Sequence, residues 1–459
     1  MRSRRDQVQA HAYVVGRLTS ALVHGEPDSP ESPLRRTGLG SFGGLLLGTL
    51  MVAAFLVWGL ISGGGKTVTM TAGELVMAKE TGARYVYADH ELRPVLNWSS
   101  ALLLTGGNAA MTVVPAATLT GIPQGQPVGI VGAPDTMPAA GAAGKGAWLV
   151  CALSAGHPQV SLTIGTSTPV GQPPPNGGLL VRAAGTEYLV WRGQRLKLDA
   201  SWIAGALGLG RAPVTDVSPA WLNAVPAGPD LRPVDVPGRG GRGPLIGTVR
   251  TTVGQVLVTS NVGSQSEFYL AEAGALVPIT AAQAAIVLGD PSSAAAYQGA
   301  TGAPVPVSPA AMVHAPIVHQ PLADTAGAPS APPRDDSATP GVPCMRYPGA
   351  GGPPMFVFAV PPPGMPPALS SPGVIGSPQT ANLISVVPGG GGLVRPQAAP
   401  GVGGDSLFLV TDTGVKFAVP SASAASALGY QAGRAVPVPA SLLGLLPTGP
   451  ALDLASMRR

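Results

Sequence analysis

The pattern of apolar residues contains one long uninterrupted stretch, residues 42–61, and no charged residue occurs from Thr37 to Gly65. A helix of twenty residues spans about 30 Å, which is the thickness of the hydrocarbon core of a bilayer. The sequence therefore predicts a single transmembrane helix near the N-terminus. The side chains that we expect in the membrane include Phe42, Leu46, Leu50, Phe55, Trp58 and Ile61.

The head that precedes this stretch, residues 1–36, has apolar residues at helical spacing from 7 to 24, which predicts an amphipathic helix. Arginines are frequent in the head, whereas the far flank of the apolar stretch carries only Lys66 before Glu74. The positive-inside rule therefore predicts a cytoplasmic head and an exported tail. A cleaved signal peptide is disfavoured because the stretch is long and begins far from the N-terminus. The head helix is either a stop-transfer flank or a docking helix.

The tail contains four copies of one pattern, which begin near residues 85, 188, 268 and 407. Each copy has an aromatic-led strand, a turn, a short apolar strand, an alanine-rich helix and a second short helix. We predict the first helices at 99–104, 201–209, 281–288 and 422–428. Gly210, Gly289 and Gly429 follow three of these helices and are predicted to be left-handed C-caps.

The second short helix has the sharpest signature, Ser218-Pro219-Ala220-Trp221-Leu222, which recurs near Pro309, Pro439 and, less closely, Pro115. Proline is favoured at the first position of a helix. The copies are unevenly spaced, so a solenoid is excluded and the additional residues form inserts. We predict strands, assigned to a central unit built from these inserts, at 147–153, 160–164, 179–182, 249–259, 355–360 and 383–387.

Composition supports a folded, loop-rich chain. The 459 residues include 64 glycines and 51 prolines, yet 45% of the residues are hydrophobic and these fall into discrete runs. The formal net charge of +4 is small for this length and does not indicate a nucleic-acid partner. The chain has two cysteines, Cys151 and Cys344, which are either a disulfide, if the tail lies outside the cell, or two buried thiols.

Candidate chemistry is weak throughout the sequence. Residues 63–67 imitate the end of a phosphate-binding loop, but Leu60 occupies the position of the first required glycine. His314 and His319 lack a third ligand at suitable spacing, so we predict no metal site and no cofactor. Asp335 and Asp336 are expected in a solvated loop. The glycine- and arginine-rich tract 238–243 is expected to be a flexible joint.

Four motifs resemble the EccB family, the single-pass membrane component of actinobacterial type VII (ESX) secretion systems. They are RRDQVQAHAYVVGRLTSALVHGEPD, KETGARYVYADHELRPVLNWSSALLL, GIVGAPDTMP and WLVC. Trp98 stands where the family pattern suggests tyrosine. The resemblance implies a cytoplasmic N-terminus and a disulfide between Cys151 and Cys344 in a central domain. It also implies self-association, and assembly with EccC, EccD and EccE into a ring-shaped inner-membrane machine.

The predicted fold class is α+β, with one N-terminal transmembrane helix and an elongated extracytoplasmic region of four small α/β repeats around a central β domain. The predicted divisions are head 1–36, membrane helix 42–61, repeats 67–138, 187–240, 267–315 and 405–459, and central-domain parts 139–186, 241–266 and 316–404. The expected function is that of a structural subunit of the secretion complex at the plasma membrane. The alternatives are a membrane-anchored ATPase and a cell-wall binding module.

Overall fold

A computed structural model describes residues 4–25, 33–62, 70–108, 110–154, 156–172, 176–260, 265–319, 327–349, 353–399 and 402–457. The chain divides into two compact units. The first comprises residues 1–71 with 78–81 and 114–121, and the second comprises the remainder.

The first unit contains the two long helices that the apolar pattern predicts, α1 (Arg4–His24) and α2 (Pro33–Ser62). Gly25 follows α1 with a φ of 73°, a left-handed conformation that suits the end of a helix. Within α2, residues Thr37–Gly59 form the one described helix that is long and apolar enough to cross a membrane.

The rest of the chain is built mainly of short strands. In chain order the first are β1 (Leu75–Ala78), β2 (Arg84–Ala88), β3 (Glu91–Pro94), β4 (Met111–Val114), β5 (Ala147–Ser154), β6 (Pro158–Thr166), β7 (Val170–Gly171), β8 (Gly177–Ala183), β9 (Thr186–Trp191), β10 (Gln194–Lys197), β11 (Thr215–Asp216), β12 (Arg242–Ile246) and β13 (Val249–Thr252). They continue with β14 (Val256–Thr259), β15 (Glu267–Ala271), β16 (Leu276–Ile279), β17 (Val305–Pro306), β18 (Arg334–Asp335), β19 (Val342–Tyr347), β20 (Met355–Ala359), β21 (Leu383–Val386), β22 (Gly392–Ala399), β23 (Val402–Gly403), β24 (Leu407–Val410), β25 (Lys416–Val419) and β26 (Val436–Pro439).

The helices between these strands are short, as the four-copy pattern requires. They are α3 (Trp98–Leu104), α4 (Ile203–Ala206), α5 (Pro219–Ala224), α6 (Ala281–Gly289), α7 (Pro309–Met312), α8 (Ala422–Ala427) and α9 (Ala440–Gly444). Copy one has a 3₁₀ turn, Ala116–Leu119, in place of the second helix. Pro219 and Pro309 begin α5 and α7, each behind a capping serine, whereas α9 begins after Pro439.

The four copies share one sheet topology. The strand orders are β3-β2-β1-β4, β10-β9-β8-β11, β16-β15-β14-β17 and β25-β24-β22-β26. Each copy therefore starts one strand earlier than the aromatic-led strand from which the sequence pattern was aligned. In the second to fourth copies this additional strand pairs in parallel with the strand that precedes the second helix. The recurrence of one topology shows that the copies are repeats of one fold.

Two stretches that we assigned to the inserts lie elsewhere. Residues 179–182 fall in β8, which pairs with β9 in the second repeat. Residues 249–259 divide into β13, which pairs with β12, and β14, which pairs with β15 in the third repeat. The apolar pattern identifies these strands but not their partners. Side chains alternate between the two faces with a period of two in a strand of any sheet, so the pattern does not indicate which sheet a strand joins.

The inserts form a sheet of six described strands in the order β21-β6-β5-β19-β20-β7. Side chains of β5 alternate between its two faces. Trp148 and Val150 belong to a large buried cluster on one face, and Leu149 and Cys151 belong to a smaller cluster on the other. The long apolar run of β5 is thus explained by burial on both faces.

Several local predictions are corrected by the backbone. The second repeat turns left-handed at Gly208, with a φ of 80°, rather than at Gly210, because α4 is shorter than predicted. Gly289 is the last residue of α6 and not its left-handed cap, since Asp290 ends that helix. Gly429 does adopt the predicted left-handed conformation, with a φ of 86°.

The tract 238–243 is a fixed turn rather than a flexible joint. The Arg239 guanidinium lies 3.5 Å from the Asp290 carboxylate, and the two side chains are 12% and 11% exposed. The backbone N–H of Gly240 donates to the carbonyl of Val253 at 2.9 Å. A buried ion pair requires defined geometry, which the many glycines allow the backbone to reach.

Candidate membrane anchor and disulfide-linked core

The outer surface of α2 is apolar and exposed. The side chains predicted to lie in the membrane are exposed by 72% at Phe42, 54% at Leu46, 62% at Leu50, 74% at Phe55 and 74% at Trp58. Ile61 lies in the helix, but its side chain is outside the described part of the structure. A fully exposed apolar helix of this length is stable in a lipid phase and unfavourable in water. Its geometry therefore fits a membrane anchor.

A disulfide links the inserts. Cys151 on β5 lies directly opposite Cys344 on β19, and their Cα atoms are 4.0 Å apart. Both side chains are buried, and they pack among Leu149, Val357 and Ala359. The bond joins residues 193 positions apart in the sequence, so it fixes the two sides of the central sheet to each other.

The second repeat is bound to this sheet through α5. Trp221 is fully buried, and its indole N–H donates to the carbonyl of Val150 at 3.1 Å. The Tyr347 hydroxyl donates to the carbonyl of Ala224 at the end of the same helix. Burial raises the pKa of Tyr347, which keeps the hydroxyl protonated as a donor. Because Trp221 satisfies its polar atom on the sheet, the large ring can be buried without loss.

The fourth repeat is bound to the same face of the central sheet. Leu442 and Leu446, in and just after α9, belong to the buried cluster that contains Trp221. Lys416 stabilises the end of α9, since its ammonium donates to the carbonyls of Leu443 at 2.5 Å and Leu446 at 3.0 Å. Desolvation lowers the pKa of Lys416. A cation at a helix C-terminus satisfies carbonyls that lack partners within the helix.

The repeats also pack on each other in pairs through their first helices. The second and third repeats meet where α4 contacts α6, and Gly289 lies directly against Ala206. The first and fourth repeats meet where α3 contacts α8, and Gly107 lies against the backbone of Ala427. Glycine at each position lets two backbones approach more closely than a larger residue would allow.

A cleft with a volume of about 540 Å³ lies beside the docked helices. Trp148, Tyr347, Asn223 and Gln397 line it, together with several prolines. Among the described residues that line it there is no carboxylate, imidazole or amine, the groups that act as general acids or bases near neutral pH.

No group of three or more histidine, cysteine, aspartate and glutamate residues in the described ranges is placed to bind a metal ion. Residues 63–67, which resemble part of a phosphate-binding loop, lie outside the described residues. Asp336 is buried, with 4% exposure, and not in a solvated loop as predicted. Burial, and secondarily the neighbouring Asp335 carboxylate, raises the pKa of Asp336 to about 6.

Comparison with known proteins shows the family to which this chain belongs. The family described as "Type VII secretion system ESX-1, transport TM domain B" matches residues 2–458. The chain belongs to the EccB family. It is 30% identical to the "ESX-2 secretion system ATPase EccB2" of Mycobacterium tuberculosis, over 98% of this chain and 93% of that protein. It is 28% identical to the "ESX-3 secretion system ATPase EccB3" of Mycolicibacterium smegmatis, over 98% of this chain and 89% of that protein.

Solved EccB structures have the same fold. The EccB3 dimer from the ESX-3 core complex superposes with a TM-score of 0.66 at 26% identity, covering 84% of this chain and 99% of that one. A chain of the intact ESX-5 inner membrane complex superposes with a TM-score of 0.64 at 23% identity, covering 100% of this chain and 95% of that one. The α+β class, with one N-terminal apolar helix, is thus confirmed for this member of the EccB family.

Proposed function

We propose that this chain is a structural subunit of a type VII secretion inner-membrane complex, which anchors and stabilises the assembly through its repeats. The match to the EccB family over residues 2–458 carries this proposal. The geometry supports it, because α2 provides one apolar helix and the remaining residues form repeats docked on a disulfide-linked sheet. Rigid docking of several small repeats suits a scaffold that must present constant surfaces to its neighbours.

We propose that the head is cytoplasmic and the repeats are extracytoplasmic. Arg35 and Arg36 lie directly before the apolar stretch, and Arg2, Arg4, Arg5 and Arg17 add to the positive charge of the head. The disulfide supports the same orientation, because disulfides persist in oxidising compartments outside the cytosol. An alkaline phosphatase fused to the C-terminus should be active in intact cells, whereas a fusion to the N-terminus should be inactive.

The proposed partners are the EccC, EccD and EccE type membrane components and further copies of this chain. One relative was solved as an EccB3 dimer, which supports self-association. We propose repeat and central-domain divisions at the limits predicted from the sequence, except that β8, β14 and β22 belong to the sheets of the second, third and fourth repeats. The pairing of these strands supports repeat starts near residues 177, 256 and 392.

Purification of the tagged full-length chain in mild detergent tests the proposal. We expect multi-span membrane proteins and an ATPase subunit to co-purify in one large particle. A Leu50→Arg variant should lose the particle, because a charge at the centre of the apolar helix opposes insertion. Val360→Arg is the matched control, since Val360 is also an exposed apolar residue but lies outside α2. Recovery of the wild-type chain without any co-purifying membrane protein would contradict the proposal.

The names of several relatives carry the word ATPase, which favours a second candidate function for this chain. A nucleoside triphosphatase needs donors that bind phosphate and carboxylates that bind Mg²⁺. Calorimetric titration of the purified full-length chain with ATP and Mg²⁺ separates the two functions. The structural role predicts no heat of binding, and saturable binding with phosphate release would establish the enzymatic role.

A further inference from the structure

The second helices of the second and fourth repeats attach those repeats to the rest of the chain. α5 contacts α9, and both helices contribute to the buried cluster on one face of the central sheet. The third and fourth residues of each helix are buried in this cluster, and they are Trp221, Leu222, Leu442 and Leu443. We call this pair of positions the docking face of the second helix.

The third repeat has the same helix in the same register. In each of these three repeats, a proline seven residues after the start of the second helix accepts a backbone N–H from the edge strand of its sheet. These prolines are Pro226, Pro316 and Pro447. α7 begins at Pro309, so its third residue, Ala311, takes the position of Trp221. Its fourth residue, Met312, takes the position of Leu222. Ala311 and Met312 are therefore the docking face of α7.

A hairpin covers the docking face of α7. β12 and β13 form a two-stranded sheet, and Ile246 at the end of β12 is 1% exposed. Ile246 and Met312 belong to one buried cluster of the third repeat. Gly247, in the turn, lies against Ala311, since a Cβ on Gly247 would be 3.0 Å from the Cβ of Ala311. The hairpin thus covers α7 as the central sheet covers α5.

The base of the hairpin is fixed by polar contacts. The buried ion pair between Arg239 and Asp290 lies just before β12. Within the hairpin, the Thr251 hydroxyl donates to the carbonyl of Pro244 at 2.6 Å, and Thr251 is 2% exposed. A two-stranded hairpin is only marginally stable by itself, so this one depends on its base and on its contact with α7.

The outer surface of the hairpin differs from the face that it covers. Arg242 pairs with Thr252, and Leu245 pairs with Arg250, across the two strands. Paired residues of antiparallel strands project to the same side. Arg242, Leu245 and Arg250 are all exposed. The hairpin therefore replaces an apolar helix face by a surface with two positive charges, which repels the same surface of a second copy.

Without this cover, the docking face of α7 would be an exposed apolar surface, and such surfaces favour association. The contact of α5 with α9 shows that two second helices can pack on each other. Two copies of this chain could form the same contact through their α7 helices, since a two-fold axis brings identical surfaces together. The hairpin lies where the second α7 would pack.

We propose that the β12–β13 hairpin is an autoinhibitory cap, which prevents α7 from pairing with the α7 of a second copy. The third repeat is then an end of the repeat array, and copies of the chain join through surfaces other than α7. The proposal goes beyond the proposed secretion role and does not depend on it, because it concerns only contacts of this chain with itself.

A single reactive thiol beside the docking face measures the pairing. Val313 follows Met312 and is 73% exposed, and the two native cysteines are joined in the disulfide, so Val313→Cys provides that thiol. The purified full-length variant in mild detergent is treated with a short bifunctional maleimide, and covalent dimers are quantified on a denaturing gel. A maleimide with one reactive group should label all variants equally, so the dimer yield reports pairing and not thiol exposure.

Ile246→Asp in this background places a charge in the buried contact and should release the hairpin from α7. The dimer yield should then rise about tenfold, since burial of one apolar side chain at an interface has at least that effect on an association constant. Leu245→Asp is the matched control. Leu245 is next to Ile246 in β12 but is 60% exposed, so this change should leave the dimer yield unchanged.

A second variant removes the cap completely. Residues 243–251 are replaced by Asn-Gly, a dipeptide that closes a two-residue turn between the paired residues Arg242 and Thr252. The shortened variant should give the same increase in dimer yield as Ile246→Asp.

An unchanged dimer yield in the shortened variant, with circular dichroism like that of the wild type, would overturn the proposal. Cross-linking of this variant to a different polypeptide in place of a second copy would also overturn it, as would equal increases for Ile246→Asp and Leu245→Asp. Ile246→Asp decides by the same criteria if the shortened variant does not fold.

Discussion

The indole N–H of Trp221 donates to the carbonyl of Val150, the residue next to Cys151 in β5. One side chain thus joins the second repeat to the central sheet beside its disulfide. Trp221 is completely buried, so its ring also fills the space between α5 and the sheet. The second repeat therefore docks on the sheet through a contact that is both buried and hydrogen-bonded.

Replacing Trp221 should destabilise the chain strongly. Trp221→Ala removes a large buried ring and should lower the free energy of unfolding by about 3–5 kcal/mol. Trp221→Phe keeps most of the apolar volume but leaves the Val150 carbonyl without its donor, and should cost about 1–3 kcal/mol. Urea unfolding followed by circular dichroism measures both. A loss below about 0.5 kcal/mol for the alanine variant would contradict the docking role.

Removal of the disulfide should lower stability without changing the fold. The double variant Cys151→Ala and Cys344→Ala loses a cross-link over a long loop, for which we expect a cost of about 3–5 kcal/mol. The chain has no other cysteine, so reductant provides an internal control. It should destabilise the wild type by a similar amount and leave the double variant unchanged.

The close contact between the second and third repeats makes Gly289 sensitive to size. A Cβ at this position would lie 2.4 Å from the Cβ of Ala206. Gly289→Val should therefore separate α6 from α4 and cost about 1–3 kcal/mol. Gly205→Ala is the matched control, because a Cβ added there would meet nothing within 4 Å, and it should be neutral or stabilising. Equal effects of the two changes in thermal unfolding would exclude the packing explanation.

Asp336 should make stability fall as the pH rises. Its pKa in the folded chain is about 6, above the ordinary value of 3.8, because burial disfavours the charged form. The folded state therefore binds more protons than the unfolded state between these values, and stability decreases from about pH 4 to about pH 6. Asp336→Asn should raise the free energy of unfolding at pH 7.5 and have little effect at pH 4.

The pH dependence of the increase in unfolding free energy caused by Asp336→Asn distinguishes Asp336 from a surface aspartate. One carboxylate oxygen of Asp336 is buried without a hydrogen-bond partner in the described structure, which makes ionisation unfavourable. Asp405 is exposed, and Asp405→Asn serves as the control with no expected difference between the two pH values. A pH-independent effect of Asp336→Asn would show that the buried carboxyl is not the cause.

Local patterns predicted the elements of this fold better than their partners. The alanine-rich segments gave α3 and α6 nearly at their observed bounds, because periodicity and length determine such helices. The apolar stretch gave the end of α2, but that helix begins at Pro33, well before the predicted residue 42. The partner of Trp221 could not be predicted, because Val150 lies 71 residues away and no local signal joins them. β8 was assigned to the inserts although its partner β9 follows it through a tight turn at 184–185, because the repeat pattern was aligned from the aromatic-led strand and so began one strand too late.

The segments that follow the second short helices carry a sequence signal that the four-copy pattern did not include. Proline, any residue and glycine recur at Pro123–Gly125, Pro226–Gly228 and Pro447–Gly449, each after a second short helix. The pattern ended at those helices and so left this recurrence out. The burial of Asp336 had no such signal, since two adjacent aspartates are usually exposed. Asp336 is buried because its side chain packs against Gly177.

The strands of the central sheet come from residues 147 to 386. The first of these strands therefore leaves the ribosome long before the last. Pairing of such distant strands is slow and exposes unpaired edges meanwhile. The third repeat, whose strands are contiguous, can form as soon as it is synthesised, whereas the centre must wait until nearly the whole polypeptide is available. Premature termination anywhere before β21 would leave the earlier repeats folded beside an incomplete central sheet, without the fourth repeat.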